Sequence, residues 1–134
     1  MRLNDIFIVG EKYKALAQGS VSLSELKKYP LILMDKNTVS RRSLDAFLDS
    51  VGVKLQSSIE VGSWDLMKRL VERGMGIGVI PREYAASRLQ DGALFELSTD
   101  PVLPVRSVGM LLPKNQPISY ALHSFIQYFH KENN

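Results

Sequence analysis

The stretch Leu66–Pro81 constrains the fold more than any other part of this sequence. Its first half has the apolar spacing of an amphipathic helix, and Gly74 stands where a helix end needs a residue of left-handed conformation. The run Ile77–Ile80, interrupted by glycine, predicts a short strand that is buried on both faces and has another element close to its backbone. Pro81 ends that strand and suits the first turn of a new helix, which we place at residues 82–89.

The rest of the chain continues this alternation of strands and helices. Apolar runs predict strands at residues 6–9, 31–34, 57–61, 93–97 and 107–112. A loop of about ten residues is expected after the first strand. Apolar residues at helical spacing predict helices at 41–51 and 118–129. Ser22 and Glu25 form a capping-box pattern for a short helix over 23–29, and Ser63 suits the N-cap of the helix before Gly74. The order predicts an α/β fold with a mostly parallel sheet flanked by helices on both faces.

Composition narrows the class of protein. A chain of 134 residues with 45% hydrophobic content can bury one sizeable core. It has no cysteine, which excludes disulfides, thiolate metal sites and a cysteine nucleophile. The net charge is +3, but the cations are scattered, which does not favour a nucleic-acid surface on this chain. The apolar run at 6–9 is too short for a signal peptide, and no window is long enough to span a membrane.

Enzymatic motifs are not found in this sequence. It has no G-x-S-x-G, Walker or H-E-x-x-H pattern. His123 and His130 lie on the polar side of the predicted last helix without an acidic partner pattern, which is typical of surface histidines. The glycines of Gly74–Gly78 precede a strand instead of linking a strand to a helix, which argues against a dinucleotide site. We therefore expect no catalytic residue, no metal and no cofactor.

Several short motifs in a fixed order point to one family. They are the s-L-x-x-L helix Val21–Leu26, the p-L-I strand start Pro30–Ile32, the polar loop and helix Asn37–Gly52, the strand end Glu60–Ser63, the passage Leu66–Pro81, the segment Gly92–Leu97 and the Phe125-Ile126 pair of the last helix. Their order and spacing resemble the effector-binding domain of LysR-type transcriptional regulators. That resemblance implies the two-lobed fold of type 2 periplasmic solute-binding proteins.

The resemblance also implies how the chain is organised. Residues 6–103 correspond to the second lobe, while residues 1–5 and 104–134 correspond to part of the first lobe, namely a hinge segment, a returning strand and the C-terminal helix. The family's DNA-binding helix-turn-helix is absent from this chain, so DNA would be contacted only through that missing N-terminal domain. A bacterial, cytoplasmic protein that forms a homodimer or a higher homo-oligomer is expected. Because the last helix has a wide apolar stripe, the chain is expected to associate instead of remaining a monomer.

Two predicted helix starts carry the candidate ligand site. Parallel α/β sheets bind ligands at the carboxyl ends of their strands, where helix N-termini offer unpaired N–H groups to anions. The resemblance places effector contacts at both starts, and we add Arg82 at a third. The candidate effector-binding residues are Asn37, Thr38, Val39, Ser40, Arg41, Gly62, Ser63, Trp64 and Arg82.

Each candidate also has a purely structural interpretation. Thr38, Ser40 and Ser63 could serve only as helix caps, and Trp64 could serve only in packing. Arg41 could hold a carboxylate with two hydrogen bonds, whereas Arg42 is more typical of a solvated helix face.

Two hypotheses of different kinds follow. The first is the effector-sensing domain of a LysR-type regulator, which binds a small, anionic inducer between its lobes and so modulates DNA binding. The alternative is the solute-binding domain of a transporter with the same fold, against which the missing signal peptide weighs. A helix-turn-helix encoded upstream would favour the first hypothesis, and a secretion signal the second. An enzyme of this fold would need motifs that the sequence does not contain.

Overall fold

The computed structural model describes residues 1–132 and contains seven strands and four α-helices within that range. The strands are β1 (Arg2–Val9), β2 (Ser20–Ser22), β3 (Leu31–Met34), β4 (Ile59–Val61), β5 (Ile77–Pro81), β6 (Phe95–Asp100) and β7 (Val105–Ser107). The α-helices are α1 (Val39–Ser50), α2 (Trp64–Glu72), α3 (Arg82–Gln90) and α4 (Tyr120–Glu132), and short 3-10 segments cover Glu11–Gln18 and Leu23–Lys28.

The chain divides into two compact units. A large unit comprises Leu3–Arg106, and a small unit comprises Met1–Arg2 together with the residues from Ser107 onward. The predicted first-lobe segment runs to Asn134, and its last two residues lie outside the described part of the chain.

The sheet has the strand order β2-β6-β1-β5-β3-β4, and β7 also pairs with β1. The pairs β3–β4, β3–β5 and β2–β6 are parallel, while β1 is antiparallel to both of its neighbours β5 and β6. The prediction of a mostly parallel sheet is confirmed, with β1 as the strand that runs the other way. As a consequence β3, β4, β5 and β6 all end at the edge of the sheet where β1 begins, and we call this the carboxyl edge.

Both faces of the sheet are buried, as the predicted class requires. Successive residues of β1 alternate between two apolar clusters, with Phe7 in one cluster and Ile8 in the other. The first cluster is completed by Leu44 and Leu48 of α1, and the second by Met67 and Val71 of α2. Apolar strands covered on both sides are what a helix-flanked parallel sheet produces.

The glycines around β5 do what the sequence predicted. Gly74 has φ +75° and follows the end of α2 closely, so a left-handed residue does stop the helix there. All five residues of β5 are buried, which confirms the prediction of burial on both faces. A Cβ at Gly78 would lie 2.8 Å from Val71 Cγ2 and 3.1 Å from Met67 Sδ. Helix α2 therefore packs directly on the strand's backbone at this glycine.

Other local predictions are confirmed at the level of single bonds. The backbone N–H of Glu25 donates to the hydroxyl of Ser22 at 3.3 Å, and that of Leu66 donates to the hydroxyl of Ser63 at 3.2 Å. Helix α1 begins at Val39, two residues before the predicted start, because Thr38 Oγ1 accepts from the N–H of Arg41 at 3.2 Å and thus caps it. The predicted ten-residue loop after β1 contains the 3-10 segment Glu11–Gln18 instead.

Two strand predictions need correction. Strand β1 begins at Arg2 and not at Ile6, because Asp5 and its neighbours pair across the sheet although their side chains are polar. The predicted strand 107–112 is wrong beyond Ser107: the described structure contains only β7 there. Residues 108–112 have the composition of a strand, but within residues 1–132 no strand is formed beyond Ser107, although Val108 still pairs with Met1. A strand exists only by continued pairing.

The small unit contains α4, which lies close to the predicted helix 118–129. Val108 exchanges two backbone hydrogen bonds with Met1, of 2.8 Å and 3.2 Å. No described residue of α4 is buried, and Phe125 and Tyr128 are 55% and 63% exposed. Of the apolar stripe predicted from the sequence, Ala121 and Phe125 are exposed, while Leu122, Ile126 and Phe129 are half-buried.

Candidate functional site

Three helices begin side by side at the carboxyl edge. The adjacent strands β5, β3 and β4 run in the same direction, and each is followed directly or after a short turn by α3, α1 or α2. The antiparallel strand β1 brings Asp5 to the same edge, opposite Pro81. The N–H groups of a first helical turn lack partners within the helix and carry its positive dipole end. Their convergence makes this edge suited to a negatively charged group.

The turn before α1 is held by its own polar atoms. The N–H of Asn37 donates to Asp35 Oδ1 at 2.8 Å, and the hydroxyl of Thr38 donates to the carbonyl oxygen of Asp35 at 2.7 Å. Thr38 is thus a true N-cap, as its structural interpretation states, and its hydroxyl both donates and accepts within the chain. Val39 is exposed, and Ser40 is half-buried.

Arg41 is buried, with 5% of its surface exposed. Its Nη1 donates to the carbonyl oxygen of Met34 at 3.0 Å and to Glu60 Oε1 at 3.3 Å, and its Nε donates to Asp45 Oδ1 at 3.1 Å. Arg41 therefore ties the end of β3 and the strand β4 to α1. A ligand carboxylate would have to join these partners or displace one of them.

Glu60 is the carboxylate that faces Arg41 from β4. The hydroxyl of Ser57 donates to Glu60 Oε1 at 3.0 Å. This bond, together with the hydrogen bond and the charge of Arg41, holds the pKa of Glu60 below its ordinary value, although burial acts in the opposite direction. Glu60 is ionised at neutral pH and balances the charge of Arg41.

The start of α2 presents an aromatic pair. The ring of Trp64 lies 4.5 Å from that of Tyr84 at an angle of 42°, and Tyr84 is 46% exposed. The two rings line a mostly apolar cavity of about 350 Å³ with Met34, Gly62, Ser63 and Asp65. Trp64 Nε1 is buried and has no hydrogen-bond partner within the described residues. Buried indole N–H groups ordinarily have an acceptor, so Trp64 Nε1 is a donor that the described residues leave without one.

The structure brings the two predicted helix starts together. Ser40 and Arg41 of α1 and Trp64 of α2 line one small cavity at the ends of β3 and β5, which Asp5 and Pro81 also line. Its volume is about 10 Å³, roughly the space of one water molecule. Candidates that are far apart in sequence are therefore neighbours at the carboxyl edge.

Arg82 lies at the third helix start, beside a separate and larger cavity. The β1–β6 ladder ends at the pair Phe7↔Leu97, and beyond it β6 pairs with β2 while β1 pairs with β7. A cavity of about 310 Å³ lies between these strands, and we call it the fork cavity. Its polar lining is Asn4, Asp5, Arg82, Glu96, Ser98 and Thr99, and its apolar lining comes from β1, β6 and the connector 102–105.

Two ion pairs border the fork cavity. Arg82 faces Glu96 with two hydrogen bonds, one of them from Nε to Oε2 at 3.1 Å, and the other from Nη2 to Oε1. These bonds raise the pKa of Arg82 above its ordinary value. Arg106 Nη2 donates to Asp5 Oδ1 at 2.8 Å, and this pairing raises the pKa of Arg106. Both guanidinium groups are therefore held in their charged form by the carboxylates that face them.

Sequence reasoning did not identify five of the residues that line the fork cavity: Asn4, Asp5, Glu96, Ser98 and Thr99. The signal available was position: Asn4 and Asp5 directly precede the apolar run of β1, and Ser98 and Thr99 follow the apolar start of β6. Their meeting depends on which strands pair and where the ladder stops, which no local pattern encodes.

Within residues 1–132, no group of three or more histidine, cysteine or acidic side chains is placed to hold a metal ion. None of the helices in that range is long and apolar enough to cross a membrane.

Known protein families and curated proteins include relatives of this chain. Residues 5–134 match the family described as the LysR substrate binding domain. An uncharacterised HTH-type transcriptional regulator of Escherichia coli K12, YeiE, is 26% identical over 125 residues, which are 93% of this chain and 43% of the relative. The regulatory protein NocR of Agrobacterium tumefaciens is 30% identical over 102 residues, 73% of this chain and 32% of NocR. The chain thus spans less than half of the length of the curated relatives it matches.

Solved structures share the fold. The effector-binding domain of QuiR in complex with shikimate superposes with a TM-score of 0.78 at 20% identity, covering 95% of this chain and 59% of that domain. The regulatory domain of Synechocystis PCC6803 CcmR in complex with 2-PG gives a TM-score of 0.80 at 17% identity, with coverages of 98% and 63%. At these identities the likeness establishes the fold.

Proposed function

This chain belongs to the LysR substrate-binding domain family, and on that premise we propose that it senses a small anionic effector for a transcriptional regulator. The relatives named above are regulators, which favours this role over that of a transporter's solute-binding domain or an enzyme. In the whole regulator a separate N-terminal part would contact DNA. We expect that regulator to be a homo-oligomer of the bacterial cytoplasm.

The proposed lobes follow the resemblance. Residues 6–103 form the second lobe of the effector domain, and residues 1–5 and 104–134 contribute to the first. The effector would bind in the cleft between the lobes and change how far they close. That change would alter the arrangement of the regulator's subunits when they are bound to DNA. A ligand shifts such an equilibrium only by its difference in affinity for the two states.

The observation that carries the proposal is the set of three helix starts along the carboxyl edge. Two of the cations there are Arg41, held in the buried set of hydrogen bonds, and Arg82, which is half exposed. Helix N-termini together with guanidinium groups favour a carboxylate, phosphate or sulfate group. The proposed effector is therefore a small molecule with at least one such group.

The candidate residues receive different proposed roles. Asn37, Val39 and Gly62 offer backbone groups, and Ser40, Ser63 and Trp64 offer side chains at the two adjoining helix starts. Arg41 is proposed as a positioning residue, because its hydrogen bonds hold α1 against β3 and β4. Trp64 and Tyr84 would contact the apolar part of the effector.

The experiment has two parts. A thermal-shift screen of small carboxylates, amino acids and inorganic anions on the whole regulator identifies the ligand, because a ligand that binds only the folded state raises its melting temperature. The double substitution Thr38→Ala, Ser40→Ala should then abolish the transcriptional response and leave DNA affinity unchanged. Thr38→Ser retains the capping hydroxyl and should respond normally, as should Ser50→Ala at the far end of α1. A normal response of the double variant would refute the assignment.

A further inference from the structure

The fork cavity is distinct from the small cavity at the starts of α1 and α2, although Asp5 lines both. It lies where β6 leaves β1, and its volume of about 310 Å³ is at the lower end of those that hold small molecules. All of its lining residues belong to the large unit, so it is complete within Leu3–Arg106.

Arg82 is the cation of this cavity that an anion could reach. Its side chain is 50% exposed, and that of its partner Glu96 is 34% exposed. Ion pairs this open to solvent are weak, because water and salt screen them. A ligand carboxylate could therefore replace Glu96 on the guanidinium at small cost.

The helix start beneath Arg82 strengthens the preference for an anion. Arg82 is the first residue of α3, and Pro81 supplies no side-chain cap. A cation is unfavourable at this end of a helix dipole, so an anion beside it is attracted by the dipole and by the guanidinium together.

The acidic side chains around the cavity other than Glu96 have partners other than Arg82. Asp5 is paired with Arg106, whose Nη2 lies 2.8 Å from Asp5 Oδ1. Glu83 accepts a hydrogen bond of 3.0 Å from Asn4 Nδ2, and the bonds from its own backbone and from Asn4 lower its pKa in spite of burial. Glu96 is thus the carboxylate that competes directly with an incoming anion for Arg82.

We propose that the fork cavity binds the anionic group of a small organic acid through Arg82, which releases Glu96 when the ligand arrives. This rests on the effector-sensing role proposed above and assigns the anion to the β1–β6 side of the carboxyl edge. The hydroxyl of Ser98 and the apolar connector 102–105 contact the remainder of the ligand. Because Glu96 lies on β6 and pairs with Arg82, its release couples ligand binding to that strand.

The test uses acetate, benzoate and sulfate as probes at low ionic strength, with binding to this chain followed by NMR titration. Glu96→Gln removes the competing charge and should raise the affinity for the carboxylates by roughly 1.5- to 5-fold, the range expected for an exposed ion pair. Arg82→Gln should lower it by a comparable factor, roughly 1.5- to 5-fold, because the ligand's ion pair would form on the same half-exposed guanidinium. The amide of Ser98 should shift on titration of the wild type.

A matched control comes from a second Arg–Glu pair. Arg88 Nε and Nη2 donate to Glu72 at 2.6 Å and 2.8 Å, away from the fork cavity. Glu72→Gln makes the same change in net charge and should leave the affinity unchanged. An equal rise in Glu72→Gln and Glu96→Gln would overturn the proposal, as would an affinity that neither Glu96→Gln nor Arg82→Gln alters, or an absence of binding by all three probes.

The experiments distinguish a failure of the fork-cavity assignment from a failure of the proposed effector-sensing function. A regulator whose response depends on Thr38 and Ser40 but not on Arg82 or Glu96 would keep the effector-sensing role and reject the fork cavity. If the chain binds the probes at Arg82 but the whole regulator responds to no small molecule, the fork cavity is kept and the effector-sensing role is rejected.

Discussion

Substitution of Gly78 by alanine tests the packing that holds α2 over the carboxyl edge. The added Cβ would lie 2.8 Å from Val71 Cγ2 and 3.1 Å from Met67 Cγ, and both of those side chains are fully buried. Neither neighbour can move into solvent, so α2 or the strand must shift. Overpacking of this kind costs about 1–3 kcal/mol. The reduced freedom of the unfolded chain offsets about 0.4–1 kcal/mol, which leaves a net loss of up to about 2.6 kcal/mol, with a midpoint of about 1.3 kcal/mol.

Urea unfolding followed by Trp64 fluorescence measures this loss. Trp64 is the only tryptophan in the sequence and lies in the large unit, so the signal reports on the unit that contains β5. Gly19→Ala is the matched control, because a Cβ there would meet nothing within 4 Å. The same residue change is made in both variants, so the difference in free energy of unfolding isolates the contact with α2.

A second substitution tests whether the contact with Val71 causes this loss of stability. Val71→Ala removes the Cγ2 methyl that the new Cβ would meet, so the double variant should be more stable than the sum of the single effects predicts, by about 0.5–3 kcal/mol. Equal stabilities of Gly78→Ala and Gly19→Ala, or strict additivity with Val71→Ala, would show that the close approach at Gly78 does not constrain the fold.

Three further predictions follow from the same structure. Gly74→Val should lower the free energy of unfolding by roughly 1–3 kcal/mol in urea titration and leave ligand selectivity unchanged, because a β-branched residue resists the left-handed conformation; a stable variant with altered effector preference would contradict this. Glu72→Gln should be less stable than wild type by up to about 1 kcal/mol at pH 7. Hydrogen bonds from Arg88 lower the pKa of Glu72 in the folded chain, so the stabilisation is complete above the unfolded pKa of 4.5 and is lost as the pH falls through the lower, folded pKa. The urea midpoints of wild type and variant should therefore converge in acid. A difference that does not change with pH would refute the ion pair as its cause. The chain should associate through the apolar stripe that includes Phe125, so static light scattering of a monodisperse monomer at high concentration would contradict that expectation.

The elements with strong local signals could be predicted from the sequence. Strand β3 begins and ends at the predicted residues, and Ser63 caps α2 as expected. These features depend on residues within one turn of each other. The start of β1 was missed because its Arg2–Asp5 portion is mostly polar and is a strand only through its partners.

The site could be predicted in part. Parallel strands oblige the residues that follow them to share an edge, which is why candidates from α1 and α2 line one cavity. The burial of Arg41 was not predictable, since its partner Glu60 is 19 residues away and meets it only through the β3–β4 pairing. The fork cavity was missed for the same reason, because it exists where a ladder between distant strands stops.

The pairing of Asp5 with Arg106 has a consequence for modular engineering. These residues lie near the first and last positions of the large unit, and their side chains are in hydrogen-bond contact at 2.8 Å. A unit whose two ends are neighbours can be inserted into a host loop at little entropic cost, since the host chain needs to close only a short gap. We therefore expect residues 3–106 to tolerate insertion into a host loop, or circular permutation by joining their ends, provided that the fragment folds by itself, which far-UV circular dichroism of that fragment would measure.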